Sequence, residues 1–325
     1  MAGAGHPVRA RSIPPASVGD RTPPGPIVAA DPRGVPLPAP RGPFRLATQA
    51  ISHGWLQTPP FGWAPDARVL TRVERLGSGP TVLSVREHDG RPRATADRPL
   101  AADERVEAGR RLARVLQLDA DLAGFHASLA FDPDLGRDLS TIGAGRLLAG
   151  GSLWEDAVKS ICATNTSWRQ AVAVIGRIGA WGEGGAFPGP EELERRGVDA
   201  LRVEARAGYR ARYLADAARL AVAGQMDDVD AAAEELSPGD LVGALRRIPG
   251  VGPTTAVFLA FLRGRFDAGT LVDSATRAAA VERWFGGARK DDAAIRAVAA
   301  PAGPWAGLAL HWATMRRWQR MSVLA

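Results

Sequence analysis

The apolar positions change rhythm twice along the chain. Residues 1–42 (IPPASVGD, RTPPGP, GVPLPAPRGP) are dense in Pro, Gly and Ala and show no apolar period. Such a stretch buries too little apolar surface to offset its chain entropy, so it reads as a disordered Pro/Gly-rich tail or as the product of a misplaced start. From Phe44 to about Arg93, short runs with strand character such as RVLTRVERL and TVLSVREHDG are separated by Gly and Pro. They predict a small antiparallel β domain over residues 43–100. Beyond Leu100 the period becomes helical almost to the end. Val106, Ala113 and Leu116 share one face of a helix beginning near Ala102; Trp154, Val158, Ile161 and Cys162 share another; Tyr209, Tyr213, Ala217 and Leu220 a third. The fold class is therefore α+β, mainly α: a small N-terminal antiparallel β-sheet followed by an all-helical domain over 101–325.

One stretch carries more than periodicity: SPGDLVGALRRIPGVGPTTAVFLAFLRGRFDAGTLVD, residues 237–273. Ser237 is a good N-cap, Pro238 fits the first helical position, and Asp240 completes a capping pattern ahead of the stripe Leu241, Leu245, Ile248. That helix should stop at Pro249-Gly250. Gly252-Pro253 then opens a second helix through Thr255, Val257, Phe258 and Phe261, which Gly264 ends. Two helices joined by PGVG form a hairpin over 238–264. With glycines at 250 and 252 the turn admits close approach, and the amides opening the second helix face outward toward an anion. Gly250, Val251, Gly252, Thr254 and Thr255 are the candidate contacts to a DNA phosphate, gripped without reading sequence. The plain alternative is a turn that merely joins two packed helices. No Gly-Lys-Ser/Thr follows, so it is not a nucleotide phosphate loop.

Composition narrows the chemistry. The 325 residues contain one cysteine, Cys162, which excludes an internal disulfide, a zinc-thiolate site and a four-Cys iron–sulfur cluster. No metal site is expected. There is no run of 18 apolar residues and no signal-peptide core, which points to a cytoplasmic protein that does not enter the membrane. Lys159 and Lys290 are the only lysines among 41 basic residues, so a mechanism needing an amine has two side chains to choose from. The net charge of +6 is weak evidence for a nucleic-acid partner, because five arginines against two aspartates in residues 1–42 supply half of it.

Asp273 stands 21 positions after Gly252, past one helix and a short loop. This spacing resembles the helix–hairpin–helix DNA glycosylases, the superfamily of endonuclease III, 8-oxoguanine DNA glycosylase and 3-methyladenine DNA glycosylase II. The resemblance extends to GYRARYLADAARL (208–220), SLWEDAVKSICATNTSWRQ (152–170), AGPWAGLALHW (302–312) and, more loosely, FRLATQAISHGWLQTPPFGW, and so covers roughly residues 44–325. It implies an enzyme that extrudes a damaged or modified base from double-stranded DNA and cuts its N-glycosidic bond. Asp273 would be the catalytic carboxylate, and Asn165 would fill the gap left by the base. Asp273 also suits the N-cap of SATRAAAVERW, and Asn165 also suits a turn.

Cleavage builds positive charge on the deoxyribose, which a carboxylate near C1′ stabilises. Members that also cut the strand carry a lysine in the hairpin's second helix; the matching position here is Thr254, which implies a monofunctional enzyme that leaves an abasic site. Trp305, Trp312, Trp55 and Phe61 are the candidate walls of the base pocket, although single aromatics are more often core. Trp63, His53 and His311 lie in the same blocks. Leu310 occupies the position where 8-oxoguanine glycosylases use a glutamine, so an alkylated purine is favoured over oxidised guanine. The rival readings are a non-catalytic helix–hairpin–helix DNA-binding module and a glycosylase for oxidised or virus-type hypermodified bases. The superfamily implies no cofactor beyond a monovalent ion held by hairpin carbonyls, and a monomer is expected.

Overall fold

A computed structural model describes residues 34–321. Most of the segment read as a tail, residues 1–33, lies outside the described residues. Its last part departs from that reading. Val35 is buried and bridges Ala94, and the Arg41 amide donates to the Leu118 carbonyl at 3.0 Å. Val35 on a strand edge, Leu37 against the core and the Arg146 guanidinium on the Arg41 carbonyl together seat residues 34–42 on the body despite their prolines.

Strands β1 (Phe61–Ala64), β2 (Val69–Leu76), β3 (Gly79–His88) and β4 (Arg91–Ala96) form one antiparallel sheet in the order β1-β2-β3-β4. The β3–β4 connection is the two-residue loop Asp89-Gly90, with φ of 50° and 68°. Two successive positive φ values give the turn whose twist matches the flanking strands, which is why Asp-Gly serves there. Helices then run from Ala102–Val115 to Ala306–Met321. The sheet's Leu70, Leu83 and Val85 belong to one continuous apolar core with Leu112, Leu147, Val158 and Ile161 of the helical part.

The inward face of β2 breaks the usual alternation of apolar in, polar out. Between Leu70 and Leu76 it carries Arg72 and Glu74, 3% and 5% exposed. Buried charge persists only when paired. The Arg72 guanidinium reaches Glu74 and forks onto Glu155 at 2.5 and 3.1 Å. Arg111 meets Glu74 at 2.9 Å, and the Lys159 Nζ lies 2.6 Å from Glu155. Burial raises the Glu155 carboxyl's affinity for a proton, but Arg72 and Lys159 more than reverse this and hold it below the usual carboxylate range. The network joins β2 to the helix Leu153–Ala163.

Two helix faces differ from the periodic reading. Val106 is 66% exposed, and its helix buries Glu104, Ala108, Leu112 and Val115 instead. Glu104 is drawn inward because its carboxylate accepts from the Ser78 and Ala101 amides and from Arg98. Tyr209 and Tyr213 are exposed, while the helix Arg210–Val222 buries Ala211, Leu214, Ala215 and Ala218. Small residues seat that helix closely and leave the tyrosines at its rim.

Replacing Glu155 by Ala should leave Lys159 buried without its counter-charge and Arg72 with Glu74 alone, and cost about 3–5 kcal/mol of stability. Urea denaturation of the variant against the parent measures it.

Candidate nucleic-acid interface and catalytic site

The hairpin forms with the expected caps. The Ser237 hydroxyl accepts the Asp240 amide at 3.2 Å and donates to its carboxylate at 2.6 Å. Helix Pro238–Leu245 follows, three residues shorter than its apolar stripe suggests, and Ile248 enters the core from a turn after it. Gly250 has φ +84°, and a Cβ on it would fall 2.9 Å from the Tyr213 side chain, so both conformation and space exclude any larger residue. Gly252, by contrast, opens onto free space: a Cβ there would meet nothing within 4 Å. It is the N-cap of helix Pro253–Leu262, whose first turn has no side-chain cap. The amides of Thr254 and Thr255 open that helix beside an exposed glycine, the arrangement that holds an anion.

Val251 plays a different part from the one its place in PGVG suggests. Its side chain is buried, and its amide donates to the Ile248 carbonyl at 3.0 Å. It pins the turn rather than facing out. The Ile248 carbonyl at this turn accepts the Val251 amide and keeps a second lone pair.

Asn165 lies in the loop after helix Leu153–Ala163, exposed and with φ +46°. Its amide donates to the Tyr209 hydroxyl at 3.4 Å. Arg210, stacked 4.6 Å from the Tyr209 ring, donates to the carbonyls of Thr164 and Asn165 and holds the loop in place. Tyr213, on the same helix as Arg210, packs on Gly250, so Asn165 and the phosphate-facing turn share one frame. The exposed tyrosines were missed because helical spacing alone reads Tyr as core.

Asp273 is both exposed and fixed. It caps helix Ser274–Trp284, accepting the Thr276 amide at 2.7 Å through Oδ1. Its charge reaches His311 on the C-terminal helix and favours the protonated ring there, yet burial outweighs it and keeps the His311 pKa below the usual range.

His311 belongs to an aromatic group drawn from several elements. Its ring lies near-parallel to Phe258 of the hairpin's second helix, with centroids 6.4 Å apart. Phe258 meets Trp55 at 5.6 Å and His53 at 5.4 Å edge-on, and Trp55 stacks with Trp168 at 6.2 Å. Phe258 thus stands one turn of helix beyond Thr254 and Thr255, tying the anion-facing end of that helix to an aromatic wall. Burial drives the His53 pKa down to about 3, with His311 adding to it, against the hydrogen bond to the Leu148 carbonyl at 2.7 Å.

Of the four aromatics named from sequence, Trp55 is in this wall. Phe61 is buried behind it, 4.8 Å from the Lys159 Nζ. Trp312 is wholly buried, with its indole N–H on the Gly145 carbonyl at 3.3 Å; one turn after Leu308, it falls on the inward face of its helix and is core. Trp305 sits in a separate cluster against Phe125 and Phe266, because Pro304 and the positive φ at Gly303 turn the chain before the last helix begins. Phe258, Trp168 and the two histidines take their place. Cys162 is sealed in the core, where burial pushes its thiol up to about 12, so it is no nucleophile.

No family model and no curated protein sequence matches this chain. Solved structures do. A 3-methyladenine DNA glycosylase from Archaeoglobus fulgidus superposes with a TM-score of 0.68 at 16% identity, covering 87% of this chain and 98% of that one. MBOgg1 in complex with a low-affinity DNA ligand gives 0.67 at 23% identity, over 86% and 94% of the two chains. The 8-oxoguanine glycosylase/lyase of Clostridium acetobutylicum gives 0.60 at 18%, over 78% and 87%. The chain therefore has the fold of the helix–hairpin–helix DNA glycosylases, along nearly its whole described length.

His53 binds a proton when unfolded below its ordinary pKa of 6.5 but not when folded until about pH 3. Its neutral burial therefore favours the fold above pH 6.5, and that advantage is lost as pH falls from 6.5 toward 3. Stability of His53→Gln, followed by denaturant titration over this window, should fall less steeply with pH than the parent's, by about one proton.

Proposed function

We propose that this protein is a monofunctional DNA glycosylase that excises a modified base, an alkylated purine by preference, from duplex DNA and leaves an abasic site. The observation that carries it is Asp273: an exposed carboxylate, held by a helix N-terminus, whose charge reaches an aromatic wall that the DNA-gripping helix also builds. Gly250, Gly252, Thr254 and Thr255 hold the backbone, Asn165 enters the stack, and the extruded base meets Phe258 and Trp55. As the glycosidic bond breaks, Asp273 stabilises the cationic sugar and takes a proton from the attacking water. The broad ring faces suit a purine, and alkylation weakens its bond to the sugar. The enzyme acts as a monomer on nucleoid DNA. A non-catalytic binding module would use Asp273 only as a helix cap, a part that a neutral Ser or Asn plays without repelling the phosphates.

No lysine is placed to form a Schiff base. Thr254 is exposed at the matching position in the hairpin, while Lys159 has no exposed surface and lies against Glu155. Lys290 is held 5.6 Å from the Phe285 ring, after the helix that Asp273 caps.

Purified protein incubated with duplexes carrying single modified bases, then treated with alkali, should yield strand breaks only after the alkali step. Asp273→Asn should lower base release by at least about 10²-fold while DNA binding and thermal stability hold, because Asn caps a helix as well as Asp does. Borohydride should trap no covalent protein–DNA complex. Undiminished release by Asp273→Asn would dismiss the catalytic assignment, and a trapped complex the monofunctional one.

A further inference from the structure

The polar atoms of the aromatic wall are unevenly committed. Every N–H on it is already given to the protein: Trp55 Nε1 to Asp156 at 2.8 Å, Trp168 Nε1 to Gln57 at 2.7 Å, His53 Nε2 to the Leu148 carbonyl at 2.7 Å and His311 Nε2 to the Ser52 carbonyl at 2.9 Å. A carbonyl only accepts, so both histidines carry their proton on Nε2, and Nδ1 is left as a lone-pair acceptor. His53 Nδ1 receives the Trp55 amide at 3.4 Å. His311 Nδ1 receives nothing from the described residues. Nor is it shut away: the side-chain atoms buried without a partner include Gln49 Oε1, Ser160 Oγ and Arg146 Nε, but no atom of His311.

We infer that His311 determines specificity: its Nδ1 accepts a hydrogen bond from an N–H on the edge of the extruded base, so that the site selects purines presenting such a donor. The ring is oriented by the Ser52 carbonyl on one side and by Phe258, near-parallel to it, on its face. The Nδ1 lone pair lies in the plane of this ring, 27° from that of Phe258, to which Trp55 and His53 stand at 88°. The other polar group of the site within electrostatic reach of His311, Asp273, is also an acceptor, so the wall offers lone pairs and no N–H. A site built to bond an N–H rejects the analogue lacking it, because its acceptor is then desolvated and left unpaired.

The inference rests on the glycosylase reading for its substrate, and two measurements separate the two. In the first, single-turnover excision is compared for duplexes carrying hypoxanthine, which has a ring N–H on its pairing edge, and 1,N6-ethenoadenine, which has none. The parent should favour hypoxanthine by about tenfold or more, and His311→Phe, which keeps the ring on Phe258 but removes both nitrogens, should bring the two rates together. If the variant slows both substrates equally and preserves their ratio, His311 is structural and the inference fails. In the second, 9-methylhypoxanthine and 9-methyl-1,N6-ethenoadenine are titrated into protein with 15N-labelled histidine, with His311→Phe identifying the resonance. The first base should shift His311 Nδ1 and the second should not. Equal shifts, or none, overturn the inference. A parent that excises no modified base while Nδ1 still responds only to the N–H donor would sink the glycosylase reading and leave this one standing.

Discussion

Glu155 holds the site's frame together. Its carboxylate receives the fork of Arg72 from the sheet, faces Lys159 one turn further along its own helix, and accepts the Gly151 amide at 3.0 Å. Without it Lys159 would lose its counter-charge and Arg72 would keep only Glu74. Lys159 in turn lies against Phe61 and Trp55, so the ion network is also the backing of the aromatic wall. The neighbouring Asp156 takes the Trp55 indole N–H together with Arg114 and the Gly150 amide. One turn of helix thus welds the sheet to the helical body and sets the tilt of the buried Trp55 ring.

The second half of the chain holds two helix N-termini that are closed in opposite ways. The N-terminus of Pro253–Leu262 exposes uncapped amides beside glycine, suited to a phosphate. The N-terminus of Ser274–Trp284 is closed by Asp273, whose carboxylate spends one oxygen on a backbone amide. The partial positive charge of a helix N-terminus is left open at the first helix and steadies a side-chain anion at the second. Capping and catalysis are therefore not competing explanations of Asp273, since the cap is what fixes the carboxylate in place.

Much of this was legible in the residues. Ser237, Gly252-Pro253 and Asp273 each announce a helix start through local chemistry, and the starts of all three helices fall where those signals put them. Alternation in RVLTRVERL and TVLSVREHDG marks β2 and β3, and Asp89-Gly90 marks the turn after them. The departures have two causes. Tyr209, Tyr213 and Val106 were placed on apolar faces by period alone, yet small residues and a satisfied Glu104 took those faces. Trp305 and Trp312 were placed in the pocket by the block they belong to. Which way each points depends on a Gly303 kink and on which turn of the last helix meets the core.

What the sequence determined by itself is whatever rests on contacts within a few residues: caps, turns, the hairpin, the period of each element, and the absence of a lysine beside the turn. What only the tertiary structure decided is which distant side chains share a wall. His53, Trp55, Lys159, Phe258 and His311 come from segments as much as 258 positions apart, joined by Ser52 and Leu148 carbonyls that no local pattern advertises. A lone histidine in a sequence has no tautomer. It acquires one when packing presents one of its nitrogens to a carbonyl and leaves the other as the acceptor.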